Sequence, residues 1–151
     1  MTRAEQAREY FKQGYACSQA VALAFADVMA MDEGTIKKIM LPFGGGLGRL
    51  RLTCGAVSGM AAVYGMVCAS EENIPDNKKQ TYAGVQTICE AFKKEFGSLV
   101  CADLLSGMNV KVEIGGEAEQ RTPQYYQKRS CAEIVFSAAQ ILDDYLKEIG
   151  K

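Results

Sequence analysis

Leu52-Thr53-Cys54-Gly55-Ala56-Val57-Ser58-Gly59-Met60-Ala61-Ala62-Val63-Tyr64-Gly65-Met66-Val67-Cys68-Ala69-Ser70 contains no charged side chain and is dense in Gly, Ala, Ser and Thr. A bilayer-spanning helix needs about 20 predominantly apolar residues. This run is diluted by small and polar residues and lacks an apolar continuation at either flank, so it reads as a buried central helix. Thr53 suits its N-cap, which puts Cys54 at the first helical position and the end near Cys68. Gly55 and Gly59, with Ala62 one turn on, give that helix a face without bulky side chains on which another backbone can pack closely.

Upstream, Thr2-x-x-Glu5 has capping-box spacing, and Ala4, Ala7, Tyr10 and Phe11 recur at helical intervals until Gly14 supplies a stop. After Tyr15-Ala16, the run Cys17-Ser18-Gln19-Ala20-Val21-Ala22-Leu23-Ala24-Phe25-Ala26 predicts a second, largely buried helix with Cys17 in its first turn. Asp32 or Thr35 caps a short helix through Ile36, Ile39 and Met40, which Pro42 and Gly44, Gly45, Gly46 and Gly48 terminate.

Downstream, Asp76 opens a long helix through Tyr82, Val85, Ile88, Cys89, Phe92 and Phe96, closed by Gly97. Ser98 caps a short helix with Cys101 as its third residue. The polar stretch from Gly107 to Thr122 is a long loop of the length of a mobile cover, with a brief extended piece at Val110, Val112 and Ile114. Ser130-x-x-Glu133 is a second capping box, and Cys131 begins a final helix carrying Ile134, Val135, Ala138, Ile141, Leu142 and Tyr145 inward. With no internal repeat and no multi-strand pattern, the expected fold is all-α: a compact bundle of about four main helices with short accessory ones, in one domain over residues 1–151.

The 151 residues are 48% hydrophobic and 23% charged, with a formal net charge of -1. That balance creates no field to attract nucleic acid, and no segment favours membrane insertion. The amino end runs directly into a charged amphipathic stretch without the apolar centre of a secretory signal, so the expected location is cytoplasmic. In that reducing compartment six cysteines act as free thiols, redox groups or metal ligands rather than as permanent staples. The chain has no histidine. A Cys-His nucleophile pair and an imidazole metal ligand are thereby excluded.

Four cysteines, Cys17, Cys54, Cys101 and Cys131, fall in the first turn of an expected helix. Unpaired N–H groups and the positive end of the helix dipole stabilise an anion there, so each of these thiols should ionise more readily than a free one. Cys68 and Cys89 lie among apolar neighbours and are expected to pack in the core. No two cysteines have Cys-x-x-Cys spacing, so any site is assembled from separate helices.

Cys54-Gly55-Ala56-Val57-Ser58-Gly59, with Gly14-Tyr15-Ala16-Cys17 before it and Phe96-Gly97-Ser98-Leu99-Val100-Cys101 and Cys131 after it, resembles the C_GCAxxG_C_C family of redox-active proteins. The motif here runs Cys-Gly-Ala, with the first two letters transposed relative to the family's name. The resemblance spans nearly the whole chain. It implies a helical domain, a working set of Cys17, Cys54, Cys101 and Cys131, and gene neighbourhoods with transporters or oxidoreductases.

The leading functional expectation is a thiol–disulfide oxidoreductase-like protein whose partner is a redox protein or a small-molecule oxidant. The alternative is an iron–sulfur cluster or zinc ion held by the same four cysteines as metal ligands, and a third reading leaves them only structural. Arg49, in the glycine-rich stretch Phe43 to Arg51, is a candidate anion contact or thiolate partner; the stretch lacks the strand and the Lys-Ser/Thr ending of a phosphate-binding loop. Tyr125, Tyr126, Lys128 and Arg129 are expected at a solvated helix end, and Glu71, Glu72, Asp143 and Asp144 as surface charge.

Overall fold

Thr2 and Glu5 close the box that their spacing predicts. In the computed structural model, which describes all of residues 1–151, the Glu5 N–H donates to the Thr2 hydroxyl at 3.1 Å and the Thr2 N–H to the Glu5 carboxylate at 2.8 Å. They open α1 (Arg3–Lys12), followed by α2 (Cys17–Leu23), α3 (Ala26–Met29) and α4 (Glu33–Met40). A 3-10 turn (Leu41–Phe43) and a glycine-rich loop lead to α5 (Gly55–Cys68), then α6 (Pro75–Phe96), α7 (Cys101–Gly107), α8 (Pro123–Lys128) and α9 (Cys131–Glu148). The fold is all-α; its one β feature is an isolated antiparallel bridge between Thr53 and Val100. The expected four main helices correspond to α1, α5, α6 and α9, each of ten residues or more.

Several boundaries differ from the expected ones. The second helix stops at Leu23 and restarts as α3, because Phe25 leaves the helical region at φ -117° and ψ 16°. Pro75, not Asp76, opens α6 from the first helical position, where its missing N–H removes no helical bond. The loop after Gly107 contains no strand, and α8 begins at its end, where Thr122 accepts the Tyr125 N–H at 3.2 Å and Pro123 takes the first position.

α2 is the hub, packed against α1, α4, α5 and α9. Its residues Ser18 through Leu23 are all buried, and its two polar members are satisfied by the end of α4. The Ser18 hydroxyl donates to the Met40 carbonyl at 2.7 Å and the Gln19 amide to the Lys37 carbonyl at 2.8 Å. The Met40 carbonyl is one that the helix end leaves unpaired, and the Lys37 carbonyl also takes the Leu41 N–H. Gly55 and Gly59 form the expected close-packing face of α5 against α2: a Cβ at Gly59 would stand 3.0 Å from the Ser18 carbonyl oxygen and 3.0 Å from Val21 Cβ. Ala62 is exposed and does not extend that face.

Phe11, Phe25, Met60, Ile88, Phe92, Val135 and Leu142 are fully buried in one contiguous core. Burying each large side chain contributes roughly 1.5–3 kcal/mol. On α6 the buried positions Gly84, Ile88 and Phe92 recur every fourth residue, the single-face pattern of a surface helix. Tyr64 of α5 lies over Gly84 so closely that a Cβ there would meet its ring carbon Cζ and hydroxyl. Gly84→Ala must therefore push a buried tyrosine out of its seat, and a loss of about 2 kcal/mol is expected in urea unfolding. An unchanged midpoint would show that Tyr64 moves freely.

Glu71, Glu72 and Asp144 are exposed as expected, but the Asp143 side chain is only 13% exposed and sits between Arg3 and Lys147. It is an ion-pair anchor between α9 and α1 rather than free surface charge. No helix is long and apolar enough to cross a membrane.

Candidate functional site

Cys17 is the first residue of α2 and Cys131 the first of α9. Cys54 is the N-cap of α5, one residue earlier than expected, and Cys101 is the first residue of α7, not the third. The reason for both shifts is the bridge between Thr53 and Val100. Beside it the Cys54 N–H donates to the Leu99 carbonyl at 2.8 Å and the Cys101 N–H to the Leu52 carbonyl at 2.6 Å. Alternation across that bridge sends Cys54 and Cys101 to the face opposite Thr53 and Val100. Ser98 is left to cap only a turn, accepting the Val100 N–H at 3.0 Å and donating to Asp103. The expected Ser130 to Glu133 box does not form; Ser130 makes no side-chain cap, and Glu133 pairs with Arg8 instead.

All four cysteines line one cavity of about 330 Å³. Leu104, Leu105, Met108 and Ile134 supply apolar wall, and Arg49, Arg51, Arg121 and Arg129 supply charge. Cys68 and Cys89 lie elsewhere, partly buried against the core.

Arg49 reaches the Gly115 carbonyl at 2.7 Å and pairs with Glu113 and Glu119 at 3.5 and 3.6 Å. The Arg51 guanidinium reaches a cysteine: its Nη1 is 3.8 Å from the Cys101 sulfur while its Nε holds the Glu113 carbonyl at 3.0 Å. Arg51 is 5% exposed and Arg129 7%. Arg121 donates to the Phe11 and Tyr15 carbonyls and lies over the Phe11 and Tyr125 rings at 4.2 and 4.9 Å. Arg129 stacks on Tyr125 at 4.6 Å and pairs with Glu119. Of the stretch expected as a solvated helix end, Tyr125 and Arg129 are instead a wall of the cavity, while Lys128 is exposed as expected. Stacking on aromatic faces lets two guanidiniums be covered without losing their favourable contacts.

The thiols do not share one acidity. Cys131 is held below the ordinary cysteine range, first by the Cys17 thiol within hydrogen-bonding reach, then by Arg129, Arg121 and Arg51, which together outweigh its burial. Cys17 is pushed well up by the same partnership and by burial, Arg121 opposing. Burial pushes Cys54 up to about 12 against the pull of the Ala56 and Val57 amides. Burial also raises Cys101, with Arg51 pulling the other way. The expectation of four readily ionised thiols is corrected to one. At Cys54 and Cys101 desolvation outweighs the dipole's contribution of roughly 0.3–1 kcal/mol, and at Cys17 the partnership with Cys131 comes first and burial adds to it.

Chemically, the cavity offers one thiol whose ionisation is favoured, Cys131, beside Cys17, whose ionisation is disfavoured, and all six cysteines are free. No three Cys, Asp or Glu side chains stand together with the spacing of a metal site. The tetrahedral thiolate set that zinc or an iron–sulfur cluster requires is therefore not preassembled here. Sequence reasoning missed Arg121, placed Tyr125 and Arg129 at a solvated helix end, and preferred Arg49 to Arg51 within the glycine-rich stretch. Thr122-Pro123, a capping residue before a proline, was the local signal for α8; nothing local marks the arginines as cysteine neighbours.

No curated protein and no solved structure matches the chain. A family profile matches residues 15–145, a span that contains all four cavity cysteines, and its description is "Putative redox-active protein (C_GCAxxG_C_C)". Covering most of the chain, that match makes this protein a member of the C_GCAxxG_C_C family, with the general redox role the family's description states.

Proposed function

We propose that this chain is a thiol–disulfide redox protein in which Cys131 is the attacking thiolate and Cys17 the resolving thiol, while Cys54 and Cys101 are further thiols to which the disulfide can exchange. The observation that supports this reading is that Cys17 and Cys131, each the first residue of its helix, line the same arginine-rich cavity, with surroundings that favour only Cys131 as an anion. Thiolate is the species that attacks disulfides, and an adjacent thiol is what releases the mixed disulfide.

In the oxidising half-reaction the Cys131 thiolate attacks one sulfur of a substrate disulfide. A bond forms between Cys131 and that sulfur, and the other half leaves as a thiolate that takes a proton from water. Cys17 then loses its proton to solvent and attacks the Cys131 sulfur. The second half of the substrate leaves and a Cys17–Cys131 disulfide remains, with two electrons passed to the substrate. A dithiol donor reverses the sequence. Such a cycle suits a reducing compartment, and we assign the protein to the cytoplasm.

Mild oxidation followed by alkylation, digestion and mass spectrometry tests the reading. A Cys17–Cys131 linkage is expected to be the first to form. A protein that yields no disulfide among the four cysteines, and whose other properties survive their joint replacement by Ser, uses them only for packing.

A further inference from the structure

We propose that the oxidant accepted by this cavity is a small organic disulfide bearing carboxylate or similar acidic groups, held by Arg51 and Arg121 while Cys131 attacks its sulfur. The inference rests on the dithiol reading above and adds the size and charge of the substrate.

Size comes first. The cavity of about 330 Å³ lies at the lower end of small-molecule pockets, which run from about 300 to 1,000 Å³. One side of its rim is formed by the segment between α7 and α8. The Arg51 side chain holds the Glu113 carbonyl, the Arg49 side chain holds the Gly115 carbonyl, and the Gly115 N–H donates back to the Arg49 carbonyl at 2.9 Å. Cys54 is buried, and Cys17 and Cys131 are only partly exposed. A disulfide on a folded partner would have to bring its flanking backbone through that rim, whereas a compound of a dozen heavy atoms enters whole.

Charge is the second argument. Four guanidiniums line the cavity, and two carboxylates answer them: Glu119 pairs with Arg129 and Arg49, and Glu113 with Arg49. Arg51 and Arg121 make no ion pair with a carboxylate. Their N–H groups meet the Glu113, Phe11 and Tyr15 carbonyls and the Cys101 sulfur. Carbonyls satisfy the hydrogen bonds without cancelling the charge, which is costly for the buried Arg51, while Arg121, half-buried and stacked on aromatic rings, keeps a charge that no carboxylate answers. The Cys131 thiolate balances one of the two; the other awaits an anion. The apolar wall of Leu104, Leu105, Met108 and Ile134 suits the carbon chain of an organic acid better than a fully hydrated inorganic oxyanion.

The experiment oxidises the fully reduced chain with three disulfides of matched length: dithiodipropionate, which is dianionic, neutral hydroxyethyl disulfide and dicationic cystamine. A thiolate with no anion site favours the cation, giving the order cystamine, hydroxyethyl disulfide, dithiodipropionate. The expected order here is the reverse, with dithiodipropionate faster than cystamine by about tenfold or more and the gap closing as salt is raised. If the Cys17–Cys131 disulfide forms but the dianion is no faster than the neutral compound, the charge assignment falls and the dithiol reading stands. If none of the three produces that disulfide, the dithiol reading falls and the substrate assignment goes with it.

Discussion

Cys131→Ser removes the fast, low-pH phase of iodoacetamide labelling and lowers the initial labelling rate near pH 6 by about tenfold or more, since each pKa unit between a thiol and the pH costs tenfold in thiolate. The sign follows from the direction of the shift. A depressed pKa keeps Cys131 ionised as pH falls below the range where ordinary thiols protonate, so its labelling persists to lower pH than that of any other cysteine. The remaining cavity thiols do not take over. Cys54, held at about 12, is thiolate in roughly one molecule in 10⁵ at pH 7. Cys17 loses its partner's contribution in the variant, but burial still raises it and only Arg121 opposes.

The companion variant Cys17→Ser separates the two roles. A serine hydroxyl can still donate to the Cys131 thiolate, so low-pH labelling survives. With the resolving sulfur of Cys17 gone, oxidation by a small disulfide accumulates a mixed disulfide on Cys131, visible as an intact-mass increase and lost only by the slower exchange with Cys54 or Cys101. Low-pH labelling that is unchanged in Cys131→Ser would assign the reactive thiolate to another residue and overturn the mechanism.

How much of this could be read beforehand depends on the range of the interaction. Thr2 with Glu5 is a local cap that forms as its spacing predicts, and of the two local candidates Asp32 and Thr35 it is Asp32 that caps α4, accepting the Thr35 N–H. Thr53 and Ser98 have the same local chemistry, yet neither caps its helix, because the contact between Thr53 and Val100 spans distant parts of the chain and redirects both backbones. The cysteine positions survive these errors: a bridge that moves a cap by one or two residues still delivers Cys54 and Cys101 to the helix starts. Acidity was not legible. It turns on the Cys17–Cys131 partnership, on burial and on the arginines around the cavity, of which Arg51, and not the anticipated Arg49, reaches a cysteine sulfur.

The glycine-rich loop holds the least predictable feature of the fold. Gly45, Gly46, Leu47, Gly48 and Arg49 all have positive φ, and Arg51 follows at 62°. Left-handed backbone costs an L-residue roughly 1–2 kcal/mol, so Leu47, Arg49 and Arg51 hold strain that the surrounding structure must offset. The compensation is visible around Gly46: the Arg51 N–H donates to the Gly45 carbonyl at 3.1 Å and the Leu52 N–H to the Gly46 carbonyl at 2.9 Å, while the Leu52 carbonyl takes the Cys101 N–H. This reversed turn points Arg51 at Cys101 and starts the strand-like pairing that carries Cys54.

Gly46→Ala should therefore be among the most damaging single-methyl changes in the chain. At φ +74° an added Cβ would lie 2.7 Å from Cys101 Cβ, 2.7 Å from the Leu52 nitrogen and 2.8 Å from Arg51 Cα. Two of those three atoms are backbone and cannot rotate aside. Left-handed strain and overpacking together give an expected loss of about 3 kcal/mol, or a melting temperature lower by about 10 °C. Gly97→Ala is the control, because φ is +87° there with nothing within 4 Å of the added carbon. It incurs strain without a clash, and a loss of about 1 kcal/mol is expected. The two variants also differ at the cavity. Gly46→Ala displaces the start of α7 and speeds labelling of Cys101, while Cys131, anchored on α9, keeps its low-pH reactivity. Equal melting temperatures for the two variants would mean that the loop relaxes without disturbing the bridge, and that Arg51 and Cys101 are not positioned by it.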